Sequence, residues 1–182
     1  MTEKEQNKTS KFLSLVLRHK PETIGLKLDS NGWANTEELL AKMNENGQSL
    51  SFEQLRIVVE NNAKKRFIFT DDESKIRANQ GHSISVDLAL EEKQPPDILY
   101  HGTATKNLDS IKAKGLIKGQ RHHVHLSADT ETALKVGQRH GKPVLLTIKS
   151  AEVHKQGIKF YQSANGVWLT DFVDVEFIGF PE

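Results

Sequence analysis

Cysteine is absent from the 182-residue chain. That excludes disulfides, thiolate metal sites and a cysteine nucleophile, and it fits a cytoplasmic address. No apolar run approaches the ~20 residues that a membrane-spanning helix needs. An excess of one charge is missing too: 25 Lys and Arg stand against 24 Asp and Glu, a net +1. Any basic binding surface must therefore arise from local clustering. Neither GxGxxG nor GxxxxGK[ST] occurs, so no Rossmann fingerprint or P-loop cradles a phosphate. HExxH is also missing, and with it the most direct sign of a zinc enzyme. The opening residues, MTEKEQNKTSK, are polar and carry acids, unlike a signal or transit peptide. What is present is a chain 36% hydrophobic and 27% charged, as in soluble proteins, sized for one domain or two small lobes.

The best boundary is Glu91 to Asp97, where two prolines follow a charged stretch. Residues 1–92 read as one lobe and 97–182 as another, joined by a 91–97 linker. In the first, Ser10 is expected to cap a helix bearing Phe12, Leu13, Leu15, Val16 and Leu17, which Pro21 stops. Thr36 is expected to cap a second helix that ends at Asn46-Gly47. Ser51 and Gln54 form a capping box for a third. Arg66 to Phe69 and Lys75 to Arg77, around TDDES, read as a β-hairpin. Helices followed by a hairpin suggest a winged-helix-like lobe, a fold that often binds nucleic acid.

The second lobe reads as mixed, and the fold class as α+β. A strand from Ile98 is expected to end at His101-Gly102-Thr103. Leu108 to Lys114 is a helix closed by Gly115, and Val124 to Leu126 a strand. Asp129 caps a helix reaching about His140, and Val144 to Ile148 is β-rich. Asn165-Gly166 turns a hairpin between Lys159 to Tyr161 and Val167 to Leu169, and Val173 to Phe180 reads as a last strand.

Five clusters carry chemical possibilities. Arg18-His19-Lys20 ends a helix, where cations complement the macrodipole, yet an arginine fork beside histidine also suits phosphate. Lys64-Lys65-Arg66 opens the hairpin, either as a solvated surface or with Arg66 anchored by Phe67 and Phe69. Tyr100-His101-Gly102-Thr103 is either a plain turn or a place where glycine admits a ligand to the backbone. Arg121-His122-His123-Val124-His125-Leu126-Ser127 packs imidazoles together. It lacks the carboxylate arrangement of a metal site and reads better as donors to a polyanion. Gly137-Gln138-Arg139-His140-Gly141 closes its helix, again with a macrodipole alternative.

In order, SKFLSLVLRHKPE, KKRF, LYHGT, RHHVHLSAD, GQRHG and NGVWLT closely resemble the RNA (tRNA) 2′-phosphotransferase family of the KptA type. The likeness runs from Ser10 to about Phe177. It implies a winged-helix-like lobe that holds RNA and an ADP-ribosyltransferase-fold lobe that holds NAD⁺. The implied catalytic set is Arg18, His19, Arg66 and Arg139. The implied NAD⁺ contacts are His101, Gly102, Thr103, His125 and Ser127. Val167, with Trp168 close behind, stands where many ADP-ribosyltransferases carry glutamate. The implied reaction needs no metal. The RNA 2′-phosphate attacks C1″ of the nicotinamide ribose and expels nicotinamide; O2″ then attacks that phosphate, releasing 2′-hydroxyl RNA and ADP-ribose 1″,2″-cyclic phosphate. A cytoplasmic monomer without membrane contact is the default expectation. Three other readings stay open: a non-catalytic RNA and nucleotide sensor, an enzyme that ADP-ribosylates nucleic-acid termini, and a metal-dependent phosphatase, which the missing carboxylate ligands disfavour.

Overall fold

A computed structural model describes all 182 residues, which divide into two compact units, Met1–Ala89 and Leu90–Glu182. The architecture is mixed, with six α-helices and small sheets. No helix is long and apolar enough to cross a membrane.

The first unit opens with α1 (Glu3–Arg18), which starts well before Ser10. Thr2 caps it: its hydroxyl accepts from the Glu5 N–H (3.3 Å), and the Glu5 carboxylate accepts from the Thr2 N–H (2.6 Å). Ser10 is instead buried within the helix, where its hydroxyl accepts from the Asn62 side chain at 2.9 Å. The early turns are mostly exposed and polar, so no apolar periodicity announces them. Pro21 ends the helix as expected, and a 3₁₀ turn, Pro21–Ile24, follows.

β1 (Ala34–Asn35) leads into α2 (Thr36–Glu45). Here Asn35 is the cap, accepting from the Glu38 N–H at 2.9 Å. Thr36 turns its hydroxyl elsewhere, donating to the Glu73 carbonyl at 2.8 Å, which ties the helix to the hairpin. α3 (Phe52–Glu60) has the expected Ser51–Gln54 box. β2 (Phe67–Phe69) and β3 (Lys75–Ala78) form the hairpin, and β1 joins the far edge of β3. Leu13, Val16, Leu17, Leu39, Met43, Leu55, Val58, Phe67 and Ile76 make its core.

The second unit begins with β4 (Leu99–Ala104), which continues through His101-Gly102-Thr103 instead of ending there. Every residue from Leu99 to Ala104 has a partner on β7, and that ladder carries the strand on. α4 (Leu108–Lys114), β5 (Leu116–Ile117), β6 (Val124–Leu126), α5 (Thr130–Gln138) and β7 (Pro143–Ile148) follow. Then come α6 (Ser150–Lys155), β8 (Phe160–Gln162), β9 (Trp168–Thr170), β10 (Phe172–Val173) and β11 (Ile178–Gly179). The expected closing strand is thus broken. Asp174 accepts from the Glu176 N–H and starts a 3₁₀ turn between β10 and β11. The sheets run β11-β7-β4, β6-β9-β8 and β10-β5. The proline stretch is bonded to this unit: Lys93 N–H donates to the Phe160 carbonyl (2.8 Å), and Ser150 donates to the Pro96 carbonyl (2.7 Å).

Candidate functional site

In the first unit, the end of α1 meets the segment that leaves β3. The Ser83 N–H donates to the Arg18 carbonyl at 2.9 Å, and the His19 Nδ1 lies 2.9 Å from the Ser83 hydroxyl. Gly81, at φ 85°, passes beside the Arg18 guanidinium, two atoms of which stand 3.6 Å from where a Cβ would sit. Two residues earlier, the Asn79 N–H donates to the Arg66 carbonyl at 2.9 Å, and its side chain donates to the Lys65 carbonyl. One short stretch, Asn79 to Ser83, therefore gathers Arg18, His19 and Arg66. Nothing in the five sequence clusters pointed to it. Its signal was a run of turn-forming residues directly after a strand.

The arginines here differ in their surroundings. Arg56 clamps Glu73 at 2.6 and 3.1 Å, and that bond raises its pKa. Arg66 is half-buried and its guanidinium bonds to no protein group, while loss of water pushes its pKa down. A half-buried cation without an anion is costly, and an arriving phosphate would offset that cost.

In the second unit, β4 and α5 approach backbone to backbone. A Cβ on Gly102 would stand 1.5 Å from the Ala133 carbonyl oxygen, and one on Gly137 would stand 2.6 Å from that of Thr103. The open side of Gly102 thus receives the helix. Thr103 is buried, and its hydroxyl accepts from the Asn107 side chain at 3.2 Å.

On the other edge of β4, Tyr100 and Ser127 exchange backbone hydrogen bonds of 2.8 Å, which joins β4 to the end of β6. The His101 ring reaches the His125 carbonyl, with Nδ1 to oxygen at 2.9 Å. A carbonyl only accepts, so Nδ1 carries the proton and Nε2 keeps its lone pair. Burial lowers the His101 pKa, against the hydrogen bond to His125, and the nearby His140 adds to the lowering.

The β6-β9-β8 sheet turns Val124, Leu126, Phe160 and Trp168 to the core. Its other face carries His125, Leu169 and Tyr161 in register, and Ser127 and Val167 follow and precede the last pair, Leu126 with Trp168. Trp168 turns to the core instead, and Val167 stands just before β9. His123 packs against Tyr161 with ring centres 5.6 Å apart, and burial lowers its pKa too. Two acids adjoin this sheet: the charge of Asp171 acts on His123, and Glu92 is β-bridged to Tyr161. No group of three or more His, Asp or Glu side chains is arranged to hold a metal ion.

Two exposed arginines belong to the segments beside these histidines. Arg139 follows α5 and precedes His140, whose charge acts on His101. Arg121 stands three residues before β6, its N–H donating to the Lys118 carbonyl at 3.0 Å.

Residues 4–172 match the family model described as RNA 2′-phosphotransferase, Tpt1 / KptA family. A protein of Flavobacterium johnsoniae is 56% identical over 180 residues, covering 99% of both chains. One of Fusobacterium nucleatum is 57% identical over 174 residues, covering 95% of this chain and 97% of its own. One of Escherichia coli O6:K15:H31 is 55% identical over 177 residues, covering 97% and 96%. Each bears the name "Probable RNA 2′-phosphotransferase". A match that takes in the Arg18–Arg66 cluster of one unit and the histidine face of the other has one consequence: the chain belongs to the RNA 2′-phosphotransferase, Tpt1 / KptA family.

Proposed function

We propose that this chain is an NAD⁺-dependent RNA 2′-phosphotransferase, with a winged-helix-like unit for RNA and an ADP-ribosyltransferase-like unit for NAD⁺. The observation that supports it most directly is Arg66, a half-buried guanidinium without a protein anion, tied through Asn79 to Ser83 to Arg18 and His19. Three donors carried by a helix end and a strand start on one connecting segment suit a tetrahedral dianion.

NAD⁺, as consumed co-substrate, supplies the electrophilic ribose carbon and then the hydroxyl that accepts the phosphate. The second unit fits such a molecule. Its histidines and the exposed Arg121 and Arg139 offer donors to a pyrophosphate, and the neutral His101 keeps an acceptor at Nε2. His101, Gly102, Thr103, His125, Ser127 and Val167 are assigned to this binding. Arg18, His19 and Arg66 hold the 2′-phosphate and aim its oxygen, a contribution through positioning. Arg139 is assigned to stabilising the charge that develops when that phosphate is transferred.

The phosphate clamp is tested by binding. Arg66→Ala should weaken a 2′-phosphorylated dinucleotide by at least tenfold, about 1.4 kcal/mol, and leave NAD⁺ affinity unchanged by calorimetry. Equal affinity for phosphorylated and unphosphorylated RNA in the wild type would remove the clamp. Arg139→Ala should let 2′-phospho-ADP-ribosylated RNA accumulate. Accumulation in Arg121→Ala instead would move that role to Arg121.

A further inference from the structure

The outer face of the first unit's sheet extends beyond the residues given a role above. The core face of the hairpin is Phe67, Ile76 and Ala78. Register sets Ile68 opposite Arg77, and Arg66 opposite Asn79. Ala34 pairs Ile76, so one step along that ladder Trp33 falls beside Arg77. Ile68, Arg77 and Trp33 therefore form a row across three strands, and Arg66 and Asn79 form the adjacent row on the same face. Arg77 is thus a diagonal neighbour of Arg66.

Arg77 repeats the condition of Arg66. It is half-buried, and loss of water lowers its pKa, opposed by the charge of Asp29. No carboxylate pairs with it. Its guanidinium lies 4.5 Å over the Trp33 ring and makes one long hydrogen bond, 3.3 Å, to the Asn31 carbonyl. Its Nε is buried without a partner. The Trp33 turn is itself rigid: the Asp29 carboxylate accepts from the N–H groups of Asn31 (3.0 Å) and Trp33 (2.9 Å). The same turn touches the segment that gathers the phosphate donors, since a Cβ on Gly32 would stand 3.3 Å from the His82 ring.

A partly exposed indole with an unneutralised guanidinium on it is a pairing that single-stranded nucleic acid uses, a base stacking while its phosphate meets the cation. Resting on the RNA reading above, we propose that Trp33 and Arg77 form a second RNA subsite. It holds a nucleotide outside the dinucleotide step that carries the 2′-phosphate, with Arg77 on its backbone phosphate and Trp33 on its base. Trp33 and Arg77 select RNA strands over short fragments and take no part in the chemistry.

The test compares an eight-nucleotide RNA with a dinucleotide, both bearing one internal 2′-phosphate, by fluorescence anisotropy. Arg77→Gln should weaken the octamer about tenfold, leave the dinucleotide within twofold, and reduce the slope of log K against log salt by about one. Arg77→Lys should keep the slope. Trp33 fluorescence, read in a Trp168→Phe background, should be quenched when the otherwise intact protein takes up the octamer. Unquenched emission at saturation, or equal loss for octamer and dinucleotide in Arg77→Gln, would overturn the subsite while leaving the phosphate clamp standing. Wild-type protein that binds neither RNA would overturn the 2′-phosphotransferase reading and this subsite together.

Discussion

Single residues are set by what surrounds them more than by their type. Arg56 and Arg66 are ten positions apart; one is paired to Glu73 and Glu53, and the other bonds to no protein group. Apart from the family resemblance, sequence flagged Arg66 only as part of a basic triplet. It had no means of showing that a carboxylate awaits one arginine and none awaits the other. His101 makes the same point with its proton. Burial holds both His101 and His123 below their ordinary pKa, so below about pH 6.5 the unfolded chain binds protons that the native state refuses. Their contribution to stability is complete above that value and is lost as pH falls. The melting temperature should therefore drop between pH 7.5 and 5.5. His101→Gln, which preserves a donor to the His125 carbonyl, should flatten that decline. An unchanged decline would show that His101 is protonated in the folded protein.

At the scale of elements, the join of β4 to α5 decides where the histidines stand. Gly102 and Gly137 let a strand and a helix meet through their backbones. Gly102→Ala drives a methyl group into the Ala133 carbonyl, a clash at the upper end of the ~1–3 kcal/mol of overpacked cores. The predicted effect is a fall in Tm of roughly 10 °C, measured by circular dichroism, with NAD⁺ affinity falling alongside. A variant with wild-type Tm would mean that α5 yields easily. Capping signals were legible where they stood next to an apolar run, as at Ser51 and Asp129. They were missed at Thr2, whose box precedes mostly polar, exposed turns. At Asn35 the competing hydroxyl of Thr36 was committed to a distant carbonyl, a long-range bond that no local pattern records. The break at Asp174 escaped for a related reason, since Val173 to Phe180 is apolar enough to pass for one strand.

For the whole molecule, the proposed function gives the two units separate tasks. One face of the second carries histidines, and the outer face of the first carries two arginines that lack anions. Under the proposed function both arrangements meet phosphate, one on a dinucleotide and one on RNA. The order of motifs along the chain was legible in the sequence, and local rules placed those at element ends, such as Arg18 at the end of α1 and Arg139 after α5. The Asn79 to Ser83 segment and the Trp33–Arg77 row were not, because tertiary contacts alone give them meaning. The most direct measurement is turnover of a short RNA bearing one internal 2′-phosphate, incubated with the purified protein, NAD⁺ and EDTA, with products resolved by mass. The account predicts 2′-hydroxyl RNA, free nicotinamide and ADP-ribose 1″,2″-cyclic phosphate in equal amounts. Intact RNA phosphate with folded, NAD⁺-binding protein would contradict it and leave a binding module in its place.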